Sequence, residues 1–340
     1  MLRLAIDALS TDASSYGRLL NHEAEAAAAA GDRGLWQEYL KLEGDPLLLA
    51  DFVERAAQHQ LHYLADAQWE TVSGADLSPA VAASLEEVAG DRAARQRRLD
   101  LLTDVELHQS IVARQAVESV RFIPERLQGT YLAGPVDHVA TLEELQNAGP
   151  VQFTVRDSTV ISRTEPVVKL ALAAIASASP RSVAYDELVR QIGQLLAASG
   201  GPSTLTPEDR TLLAANLLDC VGQGWIDVHT DRDRFVTTIS ARPLASRWAR
   251  VQSSAVDWAT NLRHEAVDLD QISRHVLVYL DGQHDRGMLL NRLLDSISQG
   301  RLSIMKDGLP VVPTQAGDAI LEQALDQSLT RIAAAQFLIA

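Results

Sequence analysis

Apolar positions recur along the first third of the chain with the three-and-four spacing of helices. Leu49, Phe52, Val53, Ala56 and Ala57 line one face of a helix opened by Asp45-Pro46, since proline is tolerated in a first helical turn. Thr11 to Gly31 also reads as helix, because Glu25 to Ala30 is dominated by alanine. Ser78-Pro79 opens another. From Glu86 to Val120 breakers are almost absent. A long helix is therefore predicted there, with Leu99, Leu102, Val105, Ile111 and Val112 as its buried stripe and Phe122-Ile123-Pro124 as its end.

The pattern then shortens. Val151 to Ile161 holds two β-rich runs around a polar turn, which predicts a hairpin. Pro166 begins a helix that Ser179-Pro180 closes. Tyr185, Leu188, Val189, Ile192 and Leu196 stripe a second, ending near Gly200-Gly201-Pro202. A third has Thr206 as N-cap, Pro207 in its first turn, Asp209 where a capping box places an acid, and Gly222 as its stop. Trp225 to His229 and Phe235 to Ile239 flank the charged turn Asp231 to Arg234. Three helices followed by such a hairpin is the order of a winged helix.

A weaker version follows. Leu269, Ile272, Val276 and Leu280 stripe a helix stopped at Asp281-Gly282, and Asp285 caps the next, which runs to Gly300. Leu302 to Met305 and Leu309 to Val312 flank the turn triplet Lys306-Asp307-Gly308. Thr314 caps a terminal helix striped by Ile320, Leu321, Ala324, Leu325 and Ile332. The expected fold class is mainly α (α+β). A helical domain over 1–145 precedes a winged-helix-like domain with its leading hairpin over 146–245, and a second helical, winged-helix-like unit spans 246–340.

Composition excludes several classes. At 46% hydrophobic and 22% charged, the 340 residues are too apolar for general disorder. No run of about 18 uncharged apolar residues spans a membrane. The start, Met1-Leu2-Arg3-Leu4 with Asp7 and Asp12 close behind, does not read as a signal peptide. The single cysteine, Cys220, excludes a disulfide framework, and a cytoplasmic location is expected. The net charge of -15 is uneven: residues 1–150 carry 12 Lys/Arg against 24 Asp/Glu. Such a surface repels phosphate backbones, so nucleic acid is not an expected partner.

The sequence offers few motifs that carry chemistry. A nucleotide cradle needs glycines between a strand and the helix that follows it. The only close glycine pair of that form, Gly222-Gln223-Gly224, follows a helix and precedes a strand, so no cofactor-binding residue is assigned. There is no GxSxG elbow, and Cys220 beside Leu217 and Val221 reads as a small core residue; no catalytic residue is assigned. His59 and His62, three apart on one predicted helix, form a polar edge, and only Asp66 offers a third metal ligand, so no metal is assigned. Arg92, Arg95, Arg97 and Arg98 are the one basic concentration; Arg92, Arg95 and Arg98 share a helical face, suited to an acidic partner. The presumptive recognition helix, Pro207 to Val221, holds Glu208, Asp209 and Asp219 against Arg210 alone, the wrong charge for a major groove.

Two stretches carry a resemblance. Trp36-Gln37-Glu38-Tyr39-Leu40 and Phe52 through Ala67, with paired alanines, His and Tyr-Leu before Asp-Ala, resemble the methyltransferase regulatory domain that follows the catalytic domain in many bacterial AdoMet-dependent methyltransferases, outer-membrane-protein lysine methyltransferases among them. Arg242-Pro243-Leu244-Ala245, Ala249-Arg250-Val251-Gln252, Asn261 to Glu265 and Leu280-Asp281-Gly282 resemble the winged-helix region that ends such proteins. Two departures stand out. The resemblance implies a catalytic AdoMet domain upstream, and none is expected within these 340 residues. Thr103, Asp104 and Glu106 also occupy the stretch before Leu107-His108-Gln109-Ser110, where the family is rich in Arg and Phe.

The resemblance implies a non-catalytic regulatory or substrate-docking module that works by protein contact. Its partner would be a methyltransferase catalytic domain or subunit, which would hold the AdoMet, or that enzyme's protein substrate; a homodimer is a further expectation. The alternatives are a DNA-binding winged-helix regulator and a methyltransferase-related enzyme with an unrecognised site. His59, His62, Arg92, Arg95 and Arg98 are the candidate contact residues.

Overall fold

The computed structural model describes residues 14–29, 34–36, 47–67, 77–88, 92–103, 105, 107–114, 123–198, 200, 203–306, 309–311 and 319–339. The Asp45-Pro46 start, Gln37 to Leu40, Asp104, Glu106, Asp307-Gly308 and the Thr314 cap lie outside the described residues.

The first region is built from α1 (Ser15–Ala29), α2 (Leu49–Gln58), β1 (His62–Asp66), α3 (Pro79–Val88), α4 (Arg92–Thr103) and β2 (Ser110–Ala113). Helix α2 packs on α4, with Ala56 and Leu99 buried. Two expectations fail here. The helix predicted to continue to Val120 ends at Thr103, and Ser110–Ala113 is instead a strand paired antiparallel with β1. Accordingly Leu102 and Ile111, placed in the buried stripe, are exposed. Helix α2 also stops before His62. Gln60 adopts φ 59°, and the amide of Leu61 turns back to the Ala56 carbonyl, so the chain leaves the helix without a glycine to mark the exit.

The middle region has one core. The hairpin β4 (Val151–Thr154) and β5 (Val160–Arg163) alternates as read, Val151 and Phe153 pointing inward and Gln152 and Thr154 outward. Helix α6 (Pro166–Ala178) is apolar on nearly every face and runs through the centre, as such a helix must. It packs against α5 (Leu142–Gln146), α7 (Tyr185–Ala198) and α8 (Pro207–Gly222). Leu170, Leu172, Leu188, Ile192, Leu213 and Leu217 are sealed from solvent. The predicted hairpin of residues 225–239 does not form. Strand β7 (Asp227–His229) pairs with β3 (Tyr131–Ala133), which also pairs with β6 (Val183–Ala184). Residues 235–239 form no strand; the amide of Val236 goes to the Leu338 carbonyl instead.

A separate core forms beyond. It gathers β8 (Leu244–Ala245), α9 (Arg247–Ala255), the pair β9 (Trp258–Thr260) and β10 (Ala266–Asp268), α10 (Gln271–Val278) and α11 (Arg286–Ser298). The hairpin β11 (Ile304–Lys306) and β12 (Leu309–Val311), α12 (Ala319–Ala334) and β13 (Leu338–Ile339) complete the region. Ala249, Leu277, Leu280, Leu293, Leu321, Ile332 and Phe337 fill this core, and β13 closes it by pairing with β8. Helices predominate and the sheets are small, so the chain is mainly α with minor β.

Candidate functional site

A polar cluster lies where β1, β2 and α4 meet. The register of β1 on β2 sets Asp66 opposite Ser110, and the Ser110 hydroxyl donates to Asp66 Oδ1 at 3.0 Å. The Asp66 side chain is 1% exposed, so its charge must be met by protein groups. His108, just ahead of β2, supplies the main one: its Nδ1 lies against Asp66 Oδ2 while Nε2 is 3.1 Å from Asp100 Oδ2. Asp100 is steadied in turn by the amide of buried Gln96, which donates to Oδ1 at 2.9 Å. Burial alone would lower the His108 pKa. The hydrogen bond to Asp66 and the charges of Asp100 and Asp66 outweigh it, and the pKa is raised above its ordinary value. An imidazolium between two carboxylates is the consistent protonation state.

This cluster ties a hairpin to a helix. It is no nucleophilic triad, because Ser110 donates to the carboxylate and not to the imidazole that would have to activate it. Cys220 is no nucleophile either. Burial pushes its thiol up to about 11, partly offset by nearby Arg163, so the reactive thiolate is suppressed.

The residues singled out in the sequence are dispersed. His59 caps the C-terminal end of α2 and His62 opens β1, both exposed; the shared helical face does not exist because the helix has ended between them. Asp66 closes the same strand, four residues of extended chain from His62, roughly 13 Å away. It faces His108 instead. Among the described residues no group of three or more His, Cys, Asp or Glu could hold a metal ion. Arg92 begins α4, while Arg95 and Arg98 lie half-buried on it, Arg98 donating to the Ala94 carbonyl at 3.3 Å. This helix also carries Gln96 and Asp100, so the basic positions flank the carboxylate cluster.

The backbone amides of the glycine pair are already committed. Gln223 N–H bonds to the Asp219 carbonyl and Gly224 N–H to that of Val221, terminating α8. Every strand pairing among the described residues is antiparallel, in sheets of two or three strands. A cavity of about 510 Å³ opens between α7 and α8, lined by Glu125, Tyr185, Asp186, Arg190, Ser203 and Arg210. Acids and bases balance in it. Glu208, Arg210, Ala215 and Asp219 are exposed on α8, so this helix presents no basic face. Among the described residues no helix is long and apolar enough to cross a membrane.

Residues 32–114 match the model of a predicted methyltransferase regulatory domain, and residues 241–337 that of the PKMT C-terminal winged helix domain. An uncharacterised protein of Rickettsia prowazekii is 22% identical over 316 residues, 91% of this chain and 56% of the relative. The chain thus spans little more than half the length of that relative. PKMT2 from Rickettsia typhi shares the fold over 100% of this chain and 68% of its own, with a TM-score of 0.80 at 18% identity. PKMT2 in complex with AdoHcy superposes at 0.78 over 67% of its length, also at 18% identity. The chain therefore carries a methyltransferase regulatory region and a C-terminal winged helix, as its motifs implied.

Proposed function

We propose that this chain is a non-catalytic regulatory or substrate-docking module of an AdoMet-dependent methyltransferase, acting by protein–protein contact in the cytoplasm. One observation carries the reading: the two matched segments are a regulatory domain and a C-terminal winged helix of methyltransferase proteins. PKMT2 is solved with AdoHcy, and about a third of its length lies outside the likeness. The reading assigns the AdoMet site to a partner catalytic domain corresponding to that remainder.

Two features of this chain support it. Glycine-pair amides bonded within a helix terminus cannot face a pyrophosphate or nucleoside. The antiparallel pairs offer no crevice at the carboxyl ends of parallel strands, where doubly wound folds hold such ligands. No catalytic, cofactor-binding or metal residue is assigned. Partner contacts are placed at exposed His59 and His62 and along the helix bearing Arg92, Arg95 and Arg98. The acidic exposed face of α8 favours a protein partner over a nucleic acid.

Calorimetric titration tests this. AdoMet added to the chain alone should give no binding heat. The catalytic domain of a methyltransferase from the same host should bind it, and more weakly once Arg95→Glu and Arg98→Glu are combined. Tight AdoMet binding by the isolated chain would overturn the reading.

A further inference from the structure

Beyond the N-terminal region, the substantial helix and strand packings fall inside either the middle unit or the C-terminal unit. Between the two cores runs a short charged link, Thr230 to Phe235. Arg263, on the C-terminal side, reaches back over it. One guanidinium nitrogen lies against Nε2 of His229 on β7, and the other donates to Asp233 Oδ1 at 2.9 Å and to the Pro180 carbonyl at 3.3 Å. Its Cζ also lies over the Phe235 ring, 5.3 Å from the centroid. Asp233 in turn accepts the amide of Ser182, in the middle unit, at 2.7 Å. The Arg263 side chain is only 10% exposed and that of Asp233 16%, so these contacts are largely withdrawn from water.

We infer that the His229–Arg263 contact is an acid-released latch that fixes the C-terminal winged helix against the middle unit. The chemistry follows from the donor count. A guanidinium has donors only, so His229 must present the lone pair of a neutral imidazole. A proton taken up at Nε2 removes that lone pair and sets two cations face to face.

The other groups facing His229 do not supply a substitute. Asp227 on its own strand is held by Arg156 at 2.6 Å. Tyr131, its register partner on β3, has its hydroxyl engaged by Arg232 at 3.1 Å. Asp231, Arg232, Asp233 and Arg234 in the link and His264 beside Arg263 line the same cleft. Burial and then Arg263 depress the His229 pKa, against the opposing charges of Asp227, Asp233 and Glu265. The latch is therefore closed above the ordinary histidine range and weakens as pH falls below it.

Spin labels on the full chain test this, one on each unit at the exposed positions Glu208→Cys and Ser254→Cys; Cys220, fully buried, stays unlabelled. At about pH 8 the distance distribution should be narrow, and at about pH 5.5 broad, with far-UV circular dichroism unchanged. His229→Gln keeps an acceptor oxygen but cannot titrate, so it should stay narrow at both. Arg263→Ala should be broad at both. A wild-type distribution that ignores pH would overturn the proposal, as would a His229→Gln chain that broadens on acidification as the wild type does.

Discussion

The Nδ1 atom of His108 lies on the carboxylate of Asp66, a partner 42 positions earlier in the chain and almost wholly withdrawn from solvent. Because the native state favours the protonated ring, the contribution of this contact has a definite sign with pH. The folded pKa is raised above 6.5, so the stabilisation is complete below that value and is lost as pH rises through the folded one. Amide hydrogen exchange in β1 and β2 should therefore accelerate between about pH 6 and pH 8 beyond its intrinsic increase. His108→Ala leaves the Asp66 charge met by Ser110 alone, which should cost about 1–3 kcal/mol at pH 6 and flatten the pH dependence. A variant with wild-type protection at both pH values would show that the contact contributes nothing.

Lys169 presents a second case of charge inside a core. Its helix is otherwise apolar, and the side chain is fully buried. The ammonium donates to the carbonyls of Glu144, Asn147 and Gly149 at 2.8, 2.6 and 2.9 Å, closing off the C-terminal end of α5. Burial lowers its pKa, and the charges of Glu144 and Glu165 restore part of it. Lys169→Met preserves much of the volume but leaves these carbonyls without the donor. A loss of about 2 kcal/mol is expected in urea denaturation, larger than Lys→Met at an exposed position would give.

Local chemistry at Thr206 makes a smaller prediction. The hydroxyl accepts the Asp209 amide at 3.1 Å while the Asp209 carboxylate accepts the Thr206 amide, a complete capping box. Thr206→Ala should cost about 1 kcal/mol and Thr206→Ser almost nothing, measured by chemical denaturation. Equal losses for both would mean that the methyl group, and not the hydroxyl, matters there.

That box was legible in the sequence because every atom of it lies within four residues, and so were Asp285 as a cap and the 151–161 hairpin. What escaped was set by distant partners. The pattern around Val236 predicts the second strand of a wing, yet its amide is claimed by Leu338, about a hundred positions on. Ser110 to Ala113 lies in a breaker-free stretch that satisfies helical periodicity, and only pairing with β1 makes it a strand. The exit of α2 was hidden because glutamine, not glycine, takes the left-handed position. The Asp66 cluster and the Arg263 contact had no signal beyond residue type: a lone His and a lone Arg say nothing about which carboxylate or imidazole will face them.

Asp281 combines a local turn with an electrostatic contact in the C-terminal unit. Its Oδ1 accepts the Gln283 amide at 2.9 Å, the His284 amide at 3.3 Å and His284 Nδ1 at 2.9 Å, which fastens the turn between α10 and α11. The His284 ring hydrogen bond, ahead of those from the amides, holds the carboxyl down to about 2, against some desolvation. A depressed carboxyl stabilises the fold above its ordinary pKa of 3.8 and loses that contribution as pH falls toward 2. Asp281→Asn keeps an oxygen that accepts the two amides but removes the charge, whereas Asp281→Ala removes both. In acid titrations followed by tryptophan fluorescence, Asn should erase the part of the unfolding transition between about pH 4 and pH 2 that this group supplies, while retaining most of the stability at neutral pH. Ala should lose both. If Asn and Ala were equally damaged at neutral pH, the His284 ring contact and not the turn would be what holds these helices together.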